Sequence, residues 1–146
     1  MNGSTRMSLP VSQFFEAFGE ASRRLGYSDI EQRIADDHKL ELVAFRLMLQ
    51  VRAEGHSTGD LVSRVVAHAS HASQGLDALE QRRWITRRPT PQDRRIVIVR
   101  PTPTGLRVAH ALRTRLRDDL ALGVADWSDG ELTEAAALLR RLAKAL

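Results

Sequence analysis

The chain has 146 residues, 42% of them hydrophobic, no cysteine and a net charge of +4. That length suits one domain with a core of Leu, Val, Ile and Ala, and the lack of cysteine excludes disulfides, thiolate catalysis, cysteine-based zinc sites and thiol redox sensing. No apolar run approaches the roughly 20 residues of a membrane span, and the opening MNGSTRMSLP has no signal-peptide hydrophobic region, so a soluble cytoplasmic protein with no membrane partner is expected.

Residues 1–8 read as a polar, frayed lead. Pro10 then opens a first helix, VSQFFEAFGEASRRL, with Phe14, Phe15, Phe18 and Leu25 on one side as buried contacts. Residues 36–53, DDHKLELVAFRLMLQVRA, read as one stronger helix on the period of Leu40, Val43, Leu47 and Val51. Asp36 and Asp37 stand at its expected start, where the helix dipole favours acid, and Gly55 stops it. Ser57-Thr58-Gly59-Asp60 has the pattern of a capping box and opens the short helix DLVSRVVA. A second helix is expected from near Ala69 to Gln81, with Leu76 and Leu79 inward. Two short helices so closely joined read as a helix-turn-helix.

Residues 82–100, RRWITRRPTPQDRRIVIVR, follow directly. They hold seven arginines and one aspartate, a local charge of +6, so the rest of the chain sums to −2. Trp84–Arg88 and Arg95–Val99 are rich in β-formers, and Pro89, Pro91 and Gln92-Asp93 lie between them, which predicts a β-hairpin with the prolines at its tip. A basic patch on a near-neutral body is the footprint of a polyanion binder; the plainer alternative is a solvated arginine-rich surface.

Thr102-Pro103 is a helix start, a hydroxyl cap followed by proline, and the period of Leu106, Ala109, Leu112, Leu116 and Leu120 continues to about Val124. Ser128-Asp129-Gly130-Glu131 is a second capping box, opening a last helix striped by Leu132, Ala135, Leu139, Leu142 and Leu146. The fold class is therefore mainly α with a small β-hairpin. A winged helix-turn-helix over 36–100 is flanked by helices over 9–30 and 102–146 within a single 1–146 unit. The flanking helices carry more apolar surface than a small winged helix can cover, so they are expected to pack on a second copy as dimerisation helices. The alternative is that they fold back on their own domain.

The stretch DLVSRVVAHASHASQGLDALEQRRWITR resembles the MarR family of bacterial transcription regulators. Asp60-Leu61 and Leu79-Glu80 match the ends of its helix-turn-helix, Gln92-Asp93-Arg94-Arg95 its Asp-Arg-Arg wing signature, and Thr102 with Gly105 the residues after the second wing strand. Gln74 stands where the family usually has arginine, Gly75 replaces an apolar residue, Arg83 replaces a helix-ending glycine and Pro101 replaces a leucine. The resemblance implies a homodimer on double-stranded DNA, commonly a repressor, that responds to a small anionic aromatic effector. Residues near the junction, His38, Arg46 and Trp127, are candidates for that effector; Trp127 reads equally as a core or capping contact.

A recognition helix in the major groove would present Ser70, His71, Ser73 and Gln74 to base edges. Ser70 could equally cap the helix. Asp77 is placed to accept from cytosine or to hold an arginine, and Arg64 to meet a phosphate. Arg94 or Arg95 suits the narrow, negative minor groove, and Arg87 and Arg88 the flanking phosphates. Asp93 is expected to aim a tip arginine. His68 and His71 are three apart, but zinc needs two further ligands, and Ser70, His71 and Asp77 lack a nucleophile elbow; neither a metal, a cofactor nor an enzyme is expected. The rival reading is a winged-helix protein-interaction module without specific DNA reading.

Overall fold

The computed structural model describes residues 9–26, 29–65 and 69–145. The expected frayed lead 1–8, His68 and Leu146 lie outside them, as do the side chains of Phe15 and Leu25. Among the described residues, seven helices and three strands follow in the order α1 (Leu9–Gly26), α2 (Asp29–Asp37), α3 (Leu42–Gln50), β1 (His56–Ser57), α4 (Thr58–Ser63), α5 (Ala69–Gln81), β2 (Ile85–Pro89), β3 (Val97–Pro101), α6 (Pro103–Leu122) and α7 (Asp129–Ala145).

The helix expected over 36–53 is two helices. Asp36 and Asp37 end α2 rather than start a helix. Lys39 takes a left-handed φ of 52°. The Leu40 N–H reaches back to the Ala35 carbonyl at 2.8 Å and the Lys39 N–H to that of Asp36 at 2.9 Å. This is a Schellman ending, which glycine usually provides. Leu40, the residue after the turn, is buried and anchors it. The same device ends α5. Arg83 has φ 57°, the Trp84 N–H bonds the Leu79 carbonyl at 3.1 Å and the Arg83 N–H that of Glu80 at 2.9 Å. A side chain in this region costs about 1 kcal/mol over glycine, so Arg83→Gly should raise stability by about 1 kcal/mol in urea unfolding.

The core is one cluster at the centre of the winged helix. Ile34 and Ala35 of α2, Phe45, Leu47 and Met48 of α3, Leu61 of α4, and Leu76 and Leu79 of α5 meet Ile85, Val99, Ala109 and Leu112. α3 is the hub, packing on α2, α4, α5 and α6. Truncating Phe45, fully buried, removes contacts of the kind worth roughly 3–5 kcal/mol.

The expected hairpin is a three-stranded antiparallel sheet in the order β1-β3-β2. His56 pairs with Val99 on one side of β3, and Ile85 to Pro89 pair with Pro101 to Val97 on the other. β1 is only two residues long, too short to show a period. Pro89 closes β2 rather than sitting at the tip.

Thr102 locks the wing to α6. Its hydroxyl accepts from Gly105 N–H at 3.0 Å and donates to the Arg83 carbonyl at 2.7 Å, while its N–H bonds the Trp84 carbonyl at 2.9 Å. Gly105 lies so close to Trp84 that a Cβ there would stand 1.8 Å from the Trp84 carbonyl oxygen. The second capping box forms in both directions, with Ser128 N–H at 2.8 Å from Glu131 Oε2 and Glu131 N–H at 3.3 Å from Ser128 Oγ. In the first, Ser57 Oγ accepts from Asp60 N–H, but the Asp60 carboxylate turns to Arg64 and His56.

α1 and α7 stand apart from this core. α7 buries no residue, and neither helix makes a substantial contact with another element among the described residues. Phe14 and Phe18, expected as buried contacts, are exposed and stack on each other at 6.0 Å. No described helix is long and apolar enough to cross a membrane.

Candidate nucleic-acid interface

Helix α5 has two faces. Ala72, Gly75, Leu76 and Leu79 are buried, whereas Ser70, His71, Ser73, Gln74 and Asp77 are exposed in a row on the other side. Gly75 serves the inner face. A Cβ there would come within 3.0 Å of Leu47 and 3.2 Å of Val43, so its absence lets α5 close on α3. The departure at Gly75 therefore concerns packing, while Gln74 beside it is free to meet a ligand. Ser70 is the second residue of α5 rather than its cap.

The wing projects beside that row. Its tip is built by Thr90 and Asp93, whose contributions are mutual: Thr90 Oγ1 donates to the Asp93 carbonyl at 2.7 Å and accepts from Asp93 N–H at 3.1 Å. The Asp93 carboxylate accepts from Arg95, by its backbone N–H at 2.9 Å and its Nε at 3.2 Å. The backbone N–H, then the side chain, hold the Asp93 carboxyl below the usual carboxylate range. The tip acid thus pairs with Arg95 as expected, yet the Arg95 side chain stays 92% exposed. Arg94 and Arg88 are exposed, with no carboxylate in salt-bridge range among the described residues.

Arg87 is placed differently from the expectation of a free phosphate contact. Its guanidinium lies 2.6 Å from Asp77 Oδ1 and 2.6 Å from Glu80 Oε2, and its backbone N–H bonds Glu80 Oε1. Glu80's hydrogen bonds, joined by Asp77's, raise its pKa against the cost of partial burial. Arg87 therefore clasps β2 to α5, and Asp77 takes the arginine-holding role. Arg64 pairs with Asp60 on α4.

Arg82, which had no assigned role, stacks over Trp84 at 5.0 Å and donates to the carbonyls of His38 and Lys39. It ties the end of α5 to the α2–α3 turn. Sequence reading missed Glu80, Thr90 and Arg82 as organisers of this surface. The Leu-Glu pair was a signal for the first; the other two act through backbone carbonyls, which leave no pattern.

The three effector candidates are spread out. Arg46 is held by Glu31 at 2.7 Å, the His38 carbonyl accepts from Arg82, and Trp127 is 46% exposed beyond the end of α6, not a core contact. A pit of about 150 Å³ between Lys39, Glu41, Gln74 and Arg82 includes none of them. Nor does a shallow groove of about 530 Å³ between Ser57–Gly59 and Arg95–Val97. No group of three potential metal-ligating side chains occurs among the described residues.

Helix-turn-helix, three-stranded wing and flanking helices together define a winged-helix fold. Residues 42–97 match the model of the MarR family. The fold is shared with BldR from Sulfolobus solfataricus, at 22% identity over 96% of this chain and 100% of that one, with a TM-score of 0.77. Apo MarR from E. coli aligns at 16% identity over 94% of this chain and 98% of its own, TM-score 0.68. BpsR from Bordetella bronchiseptica, whose DNA binding is regulated by 6-hydroxynicotinic acid, aligns at 22% identity over 86% of this chain and 91% of its own, TM-score 0.66. At these identities the likeness is one of fold. No curated protein matches the chain significantly in sequence.

Proposed function

We propose that the protein is a dimeric, sequence-specific DNA-binding transcription regulator, with α5 in the major groove and the wing tip in the minor groove. The observation that carries this reading is the pairing of an exposed polar row on α5 with an exposed cationic tip, Arg94 and Arg95. Ser70, His71, Ser73 and Gln74 offer hydroxyl, imidazole and amide groups to base edges. Arg88 and Arg64 suit flanking phosphates. The uncovered apolar residues of the flanking helices, among them Phe14, Phe18, Leu122, Leu138 and Leu139, support a helical dimer. Its two recognition helices would lie about 34–36 Å apart and read an inverted repeat. Sedimentation should give twice the monomer mass; a monomer at micromolar concentration contradicts the dimer.

Arg87 enters this reading as a positioning residue. Arg87→Met would free the wing and leave Asp77 and Glu80 unpaired beside the DNA, lowering affinity by about 10-fold. Because Arg87 touches no phosphate in this account, the slope of log K against log salt should stay at the wild-type value. A slope reduced by about 0.9 would show a direct phosphate contact instead.

Repression relieved by a small anionic aromatic effector belongs to the same reading, supported by the fold shared with BpsR. Such a ligand acts only through different affinities for DNA-competent and incompetent spacings of the two lobes. Of His38, Arg46 and Trp127, Arg46 would have to exchange Glu31 for the ligand.

A further inference from the structure

Among the described side chains, three arginines are not exposed: Arg46, Arg87 and Arg113. Arg46 is compensated by Glu31 and Arg87 by Asp77 and Glu80. Arg113 has no carboxylate in salt-bridge range among the described residues. Its neighbour is another cation. Arg113 Nη1 donates to the carbonyls of Leu49 at 3.2 Å and Val51 at 3.1 Å. Arg52 Nη1 donates to the same two oxygens, at 2.8 Å and 3.1 Å. Sharing one acceptor at these lengths puts the two nitrogens within about 6 Å of each other. Partial burial, then the charge of Arg52, lower the Arg113 pKa.

The two carbonyls end α3, and a helix C-terminus supplies about half a negative charge. That leaves most of two positive charges uncompensated. Arg100 packs on the turn that Arg52 begins. Arg52 opens the turn closed by the Gly55 N–H, and the Arg100 stem covers Gly55, where a Cβ would meet Arg100 Cγ at 2.7 Å. Arg117, exposed, follows Arg113 by one turn of α6. Each guanidinium carries five N–H groups, and the contacts of Arg52 and Arg113 occupy only Nη1. Arg100 pairs with Thr86 at the base of the wing, whereas Val97 and Pro89 mark the tip end, so this corner lies away from Arg94 and Arg95.

We infer that the corner between the end of α3 and the middle of α6 is a binding site for a small oxyanion, a carboxylate or a phosphate, held by Arg113 and Arg52. An oxyanion there accepts the idle N–H groups and removes the repulsion between the two cations; charge-assisted bonds of this kind are the strong ones. The inference does not depend on DNA binding and would stand if the chain bound none.

The test is thermal melting of the full chain in sodium phosphate, sodium acetate or sodium chloride at equal ionic strength. A dissociation constant near 1 mM raises Tm by roughly 4 °C at about 20 mM probe. Phosphate or acetate should give that rise over chloride, and the winning probe names the oxyanion. Arg113→Gln should abolish the rise. Arg52→Gln, at an exposed position where folding is not at stake, should reduce it. The double variant R94A/R95A should keep it. The site is overturned if neither probe raises Tm over chloride, if R52Q and R113Q respond like wild type, or if R94A/R95A loses the response.

Discussion

Replacing Arg94 and Arg95 together with alanine should lower DNA affinity by about 100-fold at 0.1 M salt and leave Tm within about 2 °C of wild type. The affinity loss follows from position. Both side chains are exposed at the end of the wing, where a narrow minor groove concentrates negative potential. Each such contact is worth on the order of 1–3 kcal/mol. The unchanged fold follows from how the tip is built. Thr90 and Asp93 close it through each other, and the Arg95 contact that most stabilises the Asp93 carboxylate is a backbone N–H, which alanine keeps. An alanine variant with normal affinity in a gel shift would remove the wing from the mechanism. A variant that melts early would instead make the arginines part of the fold.

Gly105→Ala should cost at least about 3 kcal/mol and lower Tm by roughly 10 °C. The added methyl would stand 1.8 Å from the Trp84 carbonyl oxygen and 2.7 Å from its carbon. Both are backbone atoms, so no rotamer change relieves the clash. α6 would have to lift from the wing, breaking the bonds of Thr102 to Arg83 and Trp84. Those bonds join the end of α5, the wing and α6 at one point. Loss of stability should therefore come with loss of DNA binding even below the melting transition. Differential scanning calorimetry checks the first part; a Tm within 3 °C of wild type would show that the joint is looser than the contact implies.

Where local chemistry governs the structure, the sequence was readable. Ser57, Thr102 and the Ser128–Glu131 pair cap helices as their types require. Leu76 and Leu79 marked the inner face of α5 correctly, and the lone acid of the arginine-rich stretch does bind a tip arginine. The failures share a cause. The α2–α3 break rests on a left-handed lysine, and a Schellman turn without glycine leaves no local signal. β1 is defined only by pairing with β3, a contact between residues more than forty positions apart. Arg87 sits in a run of like charges, so its sequence neighbours suggested a free cation. Its partners, Asp77 and Glu80, lie one helix away and become neighbours only when β2 folds against α5. Arg113 is the opposite case, an arginine among charged helix residues that turns inward and meets a second arginine instead of an acid.

As proposed, this winged helix reads a specific DNA sequence as a dimer. Selection from random-sequence duplexes, followed by footprinting of the enriched site, tests it most directly. The enriched site should be an inverted repeat with half-site centres about one helical turn apart, 10–10.5 base pairs, with protection at the minor groove beside each half-site. Retention of DNA without sequence enrichment, or no retention at all, would contradict it and favour a winged helix that docks on protein.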